Sequence, residues 1–240
     1  MGKPMRFQSI QLETIQGCTR KCWHCPNASI EYTGALMARE LFDDIIEQLA
    51  AMEYRGSVRP YLMNEPFLDP RMPELMRHIR VRLPKCLCVV NTNADRLSLK
   101  LARELSDLGV KLRISAYDKA TLDRFNWSGI TTLHMTDFTR VSEALPDFYN
   151  NRAGSVELPG REPVSGDCQY PSIQMYVRHD GRVVLCCNDY HGQVVMGDAT
   201  KEPLLAIFNN ERFREYRSAL RAGKRLPPLC DKCSYRGHDE

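Results

Sequence analysis

Cys18-Thr19-Arg20-Lys21-Cys22-Trp23-His24-Cys25 sets three cysteines at spacing C-x3-C-x2-C directly behind the run Ser9-Ile10-Gln11-Leu12-Glu13-Thr14. That run alternates apolar and polar residues with the two-residue period of a half-buried strand. A loop this tight presents three soft thiolates on one face, which suits an iron–sulfur cluster or zinc and no hard cation. A structural zinc site wants a fourth Cys or His to close its tetrahedron. His24 lies between two of the cysteines, where chelation together with both is strained. A cubane cluster has four irons, each normally taking one protein thiolate. Three cysteines then leave one iron open to a small molecule. The blander reading is three unconnected core cysteines.

The bulk numbers narrow the setting. At 240 residues, 43% hydrophobic and 26% charged, the chain has a globular composition and can bury a substantial core. No run of eighteen apolar residues occurs and the first nine residues are short and polar for a secretory signal, so a soluble, cytoplasmic protein without a membrane span is expected. Ten cysteines in a reducing compartment read better as metal ligation than as disulfides. The net charge of +3 is too small, and the basic residues too scattered, to argue for nucleic acid.

Working outward from the cysteine loop, strands alternate with helices. Leu41, Phe42, Ile45, Ile46 and Leu49 fall at helical spacing and predict a helix over 38–52. A strand over 57–63, a helix over 71–82, a strand over 87–91 and a helix over 98–108 closed by Gly109 follow. Strands over 111–116 and 131–135 complete five, and a sixth is not evident from periodicity. Such alternation implies right-handed crossovers and a parallel sheet, with ligands at the carboxyl ends of its strands. From about Pro146 the texture changes, and a polar run over 147–166 marks a boundary or long loop. His179-Asp180-Gly181 predicts a hairpin turn between strands over 174–177 and 182–185. A short strand over 194–196 and one helix over 203–222 are expected beyond it.

The C-terminal part carries Cys168, the pair Cys186-Cys187, and Cys230-x2-Cys233. Four of these thiolates can fill every position of a second cubane, or hold structural zinc. One of the five is left over. Cys86 and Cys88 read as core or surface residues.

On its C-x3-C-x2-C loop the chain resembles the radical S-adenosylmethionine (SAM) enzymes. The resemblance implies an α/β fold, a partial, open (β/α)6-type barrel with the cluster loop after the first strand. Cys18, Cys22 and Cys25 would hold a [4Fe-4S] cluster whose open iron is chelated by the amino and carboxylate groups of SAM. Asn64-Glu65-Pro66 stands where the family carries a Gly-Gly-Glu type stretch, with Glu65 accepting from the SAM ammonium and Asn64 departing from glycine. Thr92-Asn93 is similar to a Thr-Asn-Gly turn, with Ala94 in place of glycine. Ser115 falls where a ribose-contacting hydroxyl is common. Backbone around Trp23 and His24 would contact the adenine, and Trp23 could equally be packing.

Cys168, twelve residues, Gly181, four residues and Cys186 resemble the opening of the SPASM extension, and Cys230-x2-Cys233 resembles its third and fourth ligands. No cysteine follows that pair, so the shortened, single-cluster twitch form is implied, a small α+β domain. By this resemblance the thiol left over is Cys187, which could replace Cys186 as ligand, pack as a small hydrophobe, or donate a hydrogen atom. The expected division is 7–150 for the barrel and 151–240 for the connector and auxiliary-cluster domain. Asn151-Arg152-Ala153-Gly154 resembles a stretch that places arginine at the substrate in single-auxiliary-cluster members that oxidise aminocyclitols. Arg152 and Cys187 are therefore the candidate catalytic residues.

The implied function is a dehydrogenase. A radical derived from SAM takes hydrogen from a carbinol C–H of a sugar, aminocyclitol or nucleoside-like small molecule, and the auxiliary cluster takes an electron as a ketone forms. A flavodoxin- or ferredoxin-type electron donor is the implied partner. The rivals are an epimerase in which Cys187 returns hydrogen, a peptide-modifying maturase, and a non-enzymatic electron carrier. Only about eight residues precede the first strand, which weighs against the N-terminal peptide-recognition domain of many maturases.

Overall fold

The computed structural model describes residues 5–126, 128–130, 132–140 and 149–235. Thr131, where the expected fifth strand begins, and residues 147–148, the start of the expected polar run, lie outside them. Eight strands form one sheet in the order β5-β4-β3-β2-β1-β6-β7-β8. They are β1 (Ser9–Leu12), β2 (Ser57–Arg59), β3 (Leu87–Thr92), β4 (Lys111–Ala116), β5 (Leu133–Asp137), β6 (Gln174–Val177), β7 (Arg182–Val184) and β8 (Val195–Asp198). Neighbours from β5 through β1 to β6 run parallel, whereas β6, β7 and β8 pair antiparallel.

Helices α1 (Arg39–Ala51), α2 (Met72–Arg82) and α3 (Leu99–Asp107) cover one face of the parallel strands. The expected stripe of α1, Leu41 through Leu49, is buried against Ile10, Leu12, Val58 and Val90. Each large aliphatic side chain so covered contributes about 1.5–3 kcal/mol. Ser98 caps α3 by accepting the Leu101 N–H at 3.1 Å. The opposite face is polar. Register sets Gln11 beside Arg59 on one side and Tyr176 on the other, and this inner face is where the cavity lies.

Several elements differ from expectation for local reasons. The second strand ends at Arg59, because Pro60 lacks the N–H that would continue a ladder. Gly56 permits its entry: a Cβ there would lie 2.2 Å from the Gln8 carbonyl oxygen. Helix α4 (Lys119–Asn126) was not anticipated; Asp118 accepts the Thr121 N–H at 2.8 Å at its start, and it buries only Thr121 and Phe125. The single helix expected over 203–222 is two, α6 (Leu204–Phe208) and α7 (Glu211–Arg221). Asn210 breaks it by accepting the Phe213 N–H at 2.9 Å while donating to the Met196 carbonyl at 2.6 Å. A short helix, α5 (Tyr170–Ile173), leads into β6.

The sixth parallel strand is β6, which the sequence offered only as one arm of the Asp-Gly hairpin. It is that arm, with Tyr176 opposite Val184, and its other edge docks on β1. All four of its residues are buried. At the hairpin turn Gly181 adopts φ 87°, and a Cβ would meet the Thr200 methyl at 2.5 Å.

Candidate functional site

The cysteine loop is an excursion between β1 and α1 whose ends are tied together. Gln16 N–H donates to the Ala35 carbonyl and Met37 N–H to that of Thr14, each at 2.8 Å. Inside it, Lys21 Nζ donates to the carbonyls of Asn27 at 3.0 Å and Ile30 at 2.7 Å. The loop is also pinned to the end of β3. Arg20 Nε reaches both Asp95 oxygens at 2.9 and 3.0 Å, Nη2 reaches Asp118 at 2.6 Å, and Thr19 Oγ1 donates to Asp95 at 2.6 Å. Asn93 Nδ2 donates to Thr19 Oγ1 at 2.8 Å and toward Cys18 Sγ at 3.8 Å.

Cys18, Cys22 and Cys25 thereby line one cavity of about 340 Å³. Burial pushes the Cys18 thiol up to about 11, with the charges of Glu65, Cys25 and Cys22 adding to it. Burial, then Cys25, raises Cys22 in the same direction. Thiolates crowded like this need a cationic group to share.

The strand-end residues gather in the same cavity. Glu65 is almost fully buried. Its Oε1 accepts from Thr92 Oγ1 at 2.5 Å and Phe67 N–H at 3.2 Å; its Oε2 accepts from Asn93 N–H at 2.9 Å. Oε2 keeps a lone pair. Asn64 Oδ1 accepts the Leu62 N–H at 3.0 Å, while its Nδ2 is buried without a partner among the described residues. Thr92, Asn93 and Ser115 complete this wall. His24 is also buried in the lining, stacked on Tyr117 with 6.1 Å between centroids, and its Nε2 lies 3.3 Å from the Tyr149 hydroxyl. Burial, then Arg152, lowers its pKa to about 4, so the imidazole is neutral. Trp23 does not line the cavity; its side chain is 50% exposed and packs edge-on against His24.

Arg152, Cys187 and Tyr190 close the cavity from the C-terminal side. Arg152 and Ala153 hold φ of 49° and 53°, a left-handed conformation that non-glycine residues seldom take outside strained sites. Asn151 enforces it by gripping the segment beside Cys233. Its Nδ2 donates to the Lys232 carbonyl at 2.8 Å, its Oδ1 accepts the Ser234 N–H at 2.9 Å, and its own N–H reaches Ser234 Oγ at 2.8 Å. The Arg152 guanidinium lies over the Tyr149 ring, 5.6 Å from its centroid.

Cys168, Cys186, Cys230 and Cys233 line a separate pocket with Tyr170, Leu185 and Leu229. Burial, then Cys233 and Cys168, pushes Cys230 up to about 12, and burial with Cys187 and Cys230 raises Cys186 well above the usual thiol range. Cys187 faces the other way, into the first cavity. Asp189 is fully buried and caps its own turn, accepting from Gln193 and Val194 N–H at 2.8 Å each. Cys86 and Cys88 are buried in the core, with Cys86 Sγ 2.9 Å from the Tyr54 carbonyl.

Gln11, Arg59, Tyr61, Gln174, Tyr117 and Tyr149 also line the first cavity and were not anticipated. Gln11 carried a readable signal, a polar residue at an inward position of a barrel strand. Tyr149 carried none.

Among the described residues, no three His, Cys, Asp or Glu side chains close on a position for a single ion. A cubane would take one thiolate on each of its irons. Three thiols with an open side fit a cluster that binds SAM, with the unpartnered Asn64 amide and the spare Glu65 lone pair beside it. Four thiols in an enclosed pocket fit a saturated cluster.

Comparison with known proteins matches a family to each part of the chain. Residues 12–132 match the model of the radical SAM superfamily, and residues 168–234 match SPASM, an iron–sulfur cluster-binding domain. The S-adenosyl-L-methionine-dependent 2-deoxy-scyllo-inosamine dehydrogenase of Niallia circulans is 26% identical over 235 residues, covering 95% of this chain and 93% of that protein. A crystal structure of BtrN with AdoMet and 2-DOIA superposes with TM-score 0.82 at 24% identity, covering 96% of this chain and 94% of that one. SuiB of Streptococcus suis, bound to its precursor peptide SuiA, shares the fold at TM-score 0.57 and 14% identity, over 95% of this chain and 70% of that one. The chain belongs to the radical SAM superfamily, with a SPASM-type iron–sulfur domain behind its SAM-binding barrel.

Proposed function

We propose that this chain is a radical SAM dehydrogenase that converts a carbinol of a sugar, aminocyclitol or nucleoside-like molecule to a ketone. The observation that carries the reading is the place of Arg152, which lines the SAM-side cavity and is tied through Asn151 to the segment holding Cys233. The name of the Niallia circulans relative supports it. When bound, SAM at the three-cysteine cluster supplies a 5′-deoxyadenosyl radical that takes one hydrogen atom, and the four-cysteine cluster supplies a one-electron acceptor.

This chain's residues supply binding and charge. Glu65 and Asn64 receive and orient the amino-acid end of SAM, and Ser115 its ribose. Backbone at Trp23 and His24 meets the adenine. Arg152 donates to the carbinol oxygen and steadies the negative charge that develops as the hydroxyl proton passes to solvent water. A guanidinium stays protonated at any working pH, so its part is orientation and charge stabilisation rather than proton removal. Cys187 and Tyr190 shape the wall against the substrate. A flavodoxin- or ferredoxin-type protein in a reducing, cytoplasmic setting delivers the starting electron.

Anaerobically reconstituted protein, SAM and reductant are incubated with a panel of polyols and aminocyclitols. The expected outcome is 5′-deoxyadenosine together with a product lighter by two hydrogens. Formation of 5′-deoxyadenosine with no such product from any member of the panel would overturn the reading. The rival reading, epimerisation with Cys187 returning hydrogen, is not favoured by the dehydrogenase relative. Solvent deuterium on carbon without loss of mass, abolished in Cys187→Ala, would establish that instead.

A further inference from the structure

Asn188 is 2% exposed and stands between the two sites. Its Oδ1 accepts from Arg152 Nη1 at 3.4 Å, and its Nδ2 donates to Cys233 Sγ at 3.9 Å. Chemistry fixes this orientation. A guanidinium has donors only, so the amide oxygen must face Arg152, and the N–H is thereby turned toward the sulfur. Cys233 Sγ also receives the Tyr235 backbone N–H at 3.4 Å.

We propose that Asn188 is a positioning residue that holds Arg152 in the substrate cavity through its amide oxygen and tunes the auxiliary cluster through its N–H bond to the Cys233 sulfur. An N–H donor aimed at a cluster thiolate favours the reduced, more negative cluster and raises its reduction potential. The Arg152 cation polarises the same amide, which strengthens the donor end. One rigid side chain thus aligns the group that meets the substrate oxygen with the group that receives charge. The tuning does not depend on what the substrate is. The benefit to an electron leaving the substrate rests on the dehydrogenase reading above.

The test is an EPR-monitored redox titration of full-length protein carrying both clusters, at roughly eight irons per chain from four per cubane. The SAM-binding cluster, identified by the change in its signal when SAM is added, serves as the internal reference. In Asn188→Ala the auxiliary potential is expected to move negative while the reference stays, and product formation falls relative to 5′-deoxyadenosine formation. Asn188→Asp keeps the oxygen facing Arg152 and removes the N–H. It is expected to keep substrate KM near that of the parent and to leave the potential low. If the alanine protein does not retain its iron, Asn188→Asp, which also lacks the N–H, gives the same reading. An auxiliary potential unchanged in the alanine variant, or in the aspartate variant where alanine loses its cluster, would overturn the proposal. Because this readout needs no substrate, failure of the dehydrogenase reading alone would leave the potential shift in place.

Discussion

Glu65 Oε2 accepts the backbone N–H of Asn93 at 2.9 Å, joining the loop after β2 to the end of β3 across the SAM-side cavity. Burial pushes this carboxyl from its ordinary 4.5 up to about 7, although Thr92, Asn93 and Phe67 donate to it. The folded chain therefore holds the proton up to about pH 7, whereas the unfolded chain releases it near 4.5. With fewer protons bound in the unfolded state, stability of the cofactor-free protein falls as pH rises through that window. Denaturant titrations at pH 5 and pH 8 should show the decline, and Glu65→Gln should flatten it.

An ammonium brought to Glu65 favours its ionised form. SAM affinity of the cluster-loaded protein should rise across pH 7. Glu65→Gln should weaken it roughly ten- to a hundred-fold, from about 1.5–3 kcal/mol for a hydrogen bond to a charged group. Equal affinity in the two proteins would remove Glu65 from the cofactor site.

Cys186 and Cys187 are adjacent in sequence and face different cavities. Cys186→Ala should lower iron content from roughly eight toward four per chain, given four irons per cubane. Cys187→Ala should leave it unchanged. Iron analysis with Mössbauer spectra decides, and the reverse result would exchange their roles.

Asp95 anchors Thr19 and Arg20 of the cysteine loop. The Arg20 and Asp95 side chains are each 24% exposed, where an ion pair contributes only about 0–1 kcal/mol. Asp95→Ala should accordingly lower Tm by no more than about 4 °C. The larger effect should be on the loop, seen as faster loss of iron from the first cluster to a chelator, with the second retained.

Arg152→Lys keeps the charge and loses the planar fork. It should cut product formation on the order of 100-fold, about 2.7 kcal/mol of transition-state stabilisation. Uncoupled 5′-deoxyadenosine formation should persist. Measuring both products in the same assay separates this from a folding defect.

The spacing Cys18-x3-Cys22-x2-Cys25, the late Cys230-x2-Cys233 pair, the stripe of α1 and the alternation of strand and helix are local quantities. They need no knowledge of where distant parts of the chain lie, and they carried the fold class, the family and both cysteine sets. Glu65, Thr92 and Asn93 were legible too, since each lies at or beyond the carboxyl end of a strand and a parallel sheet brings strand ends together. What needed the tertiary structure lies far apart in sequence. The docking of β6 on β1 brings Tyr176 beside Gln11 and supplies the sixth parallel strand. The turn after β7 sends Cys186 to one pocket and Cys187 to the other. The bridge from Arg152 through Asn188 to Cys233 spans three separate segments. Such contacts leave no periodicity or spacing to read, because they exist only once the sheet has closed the distance between residues that the sequence holds apart.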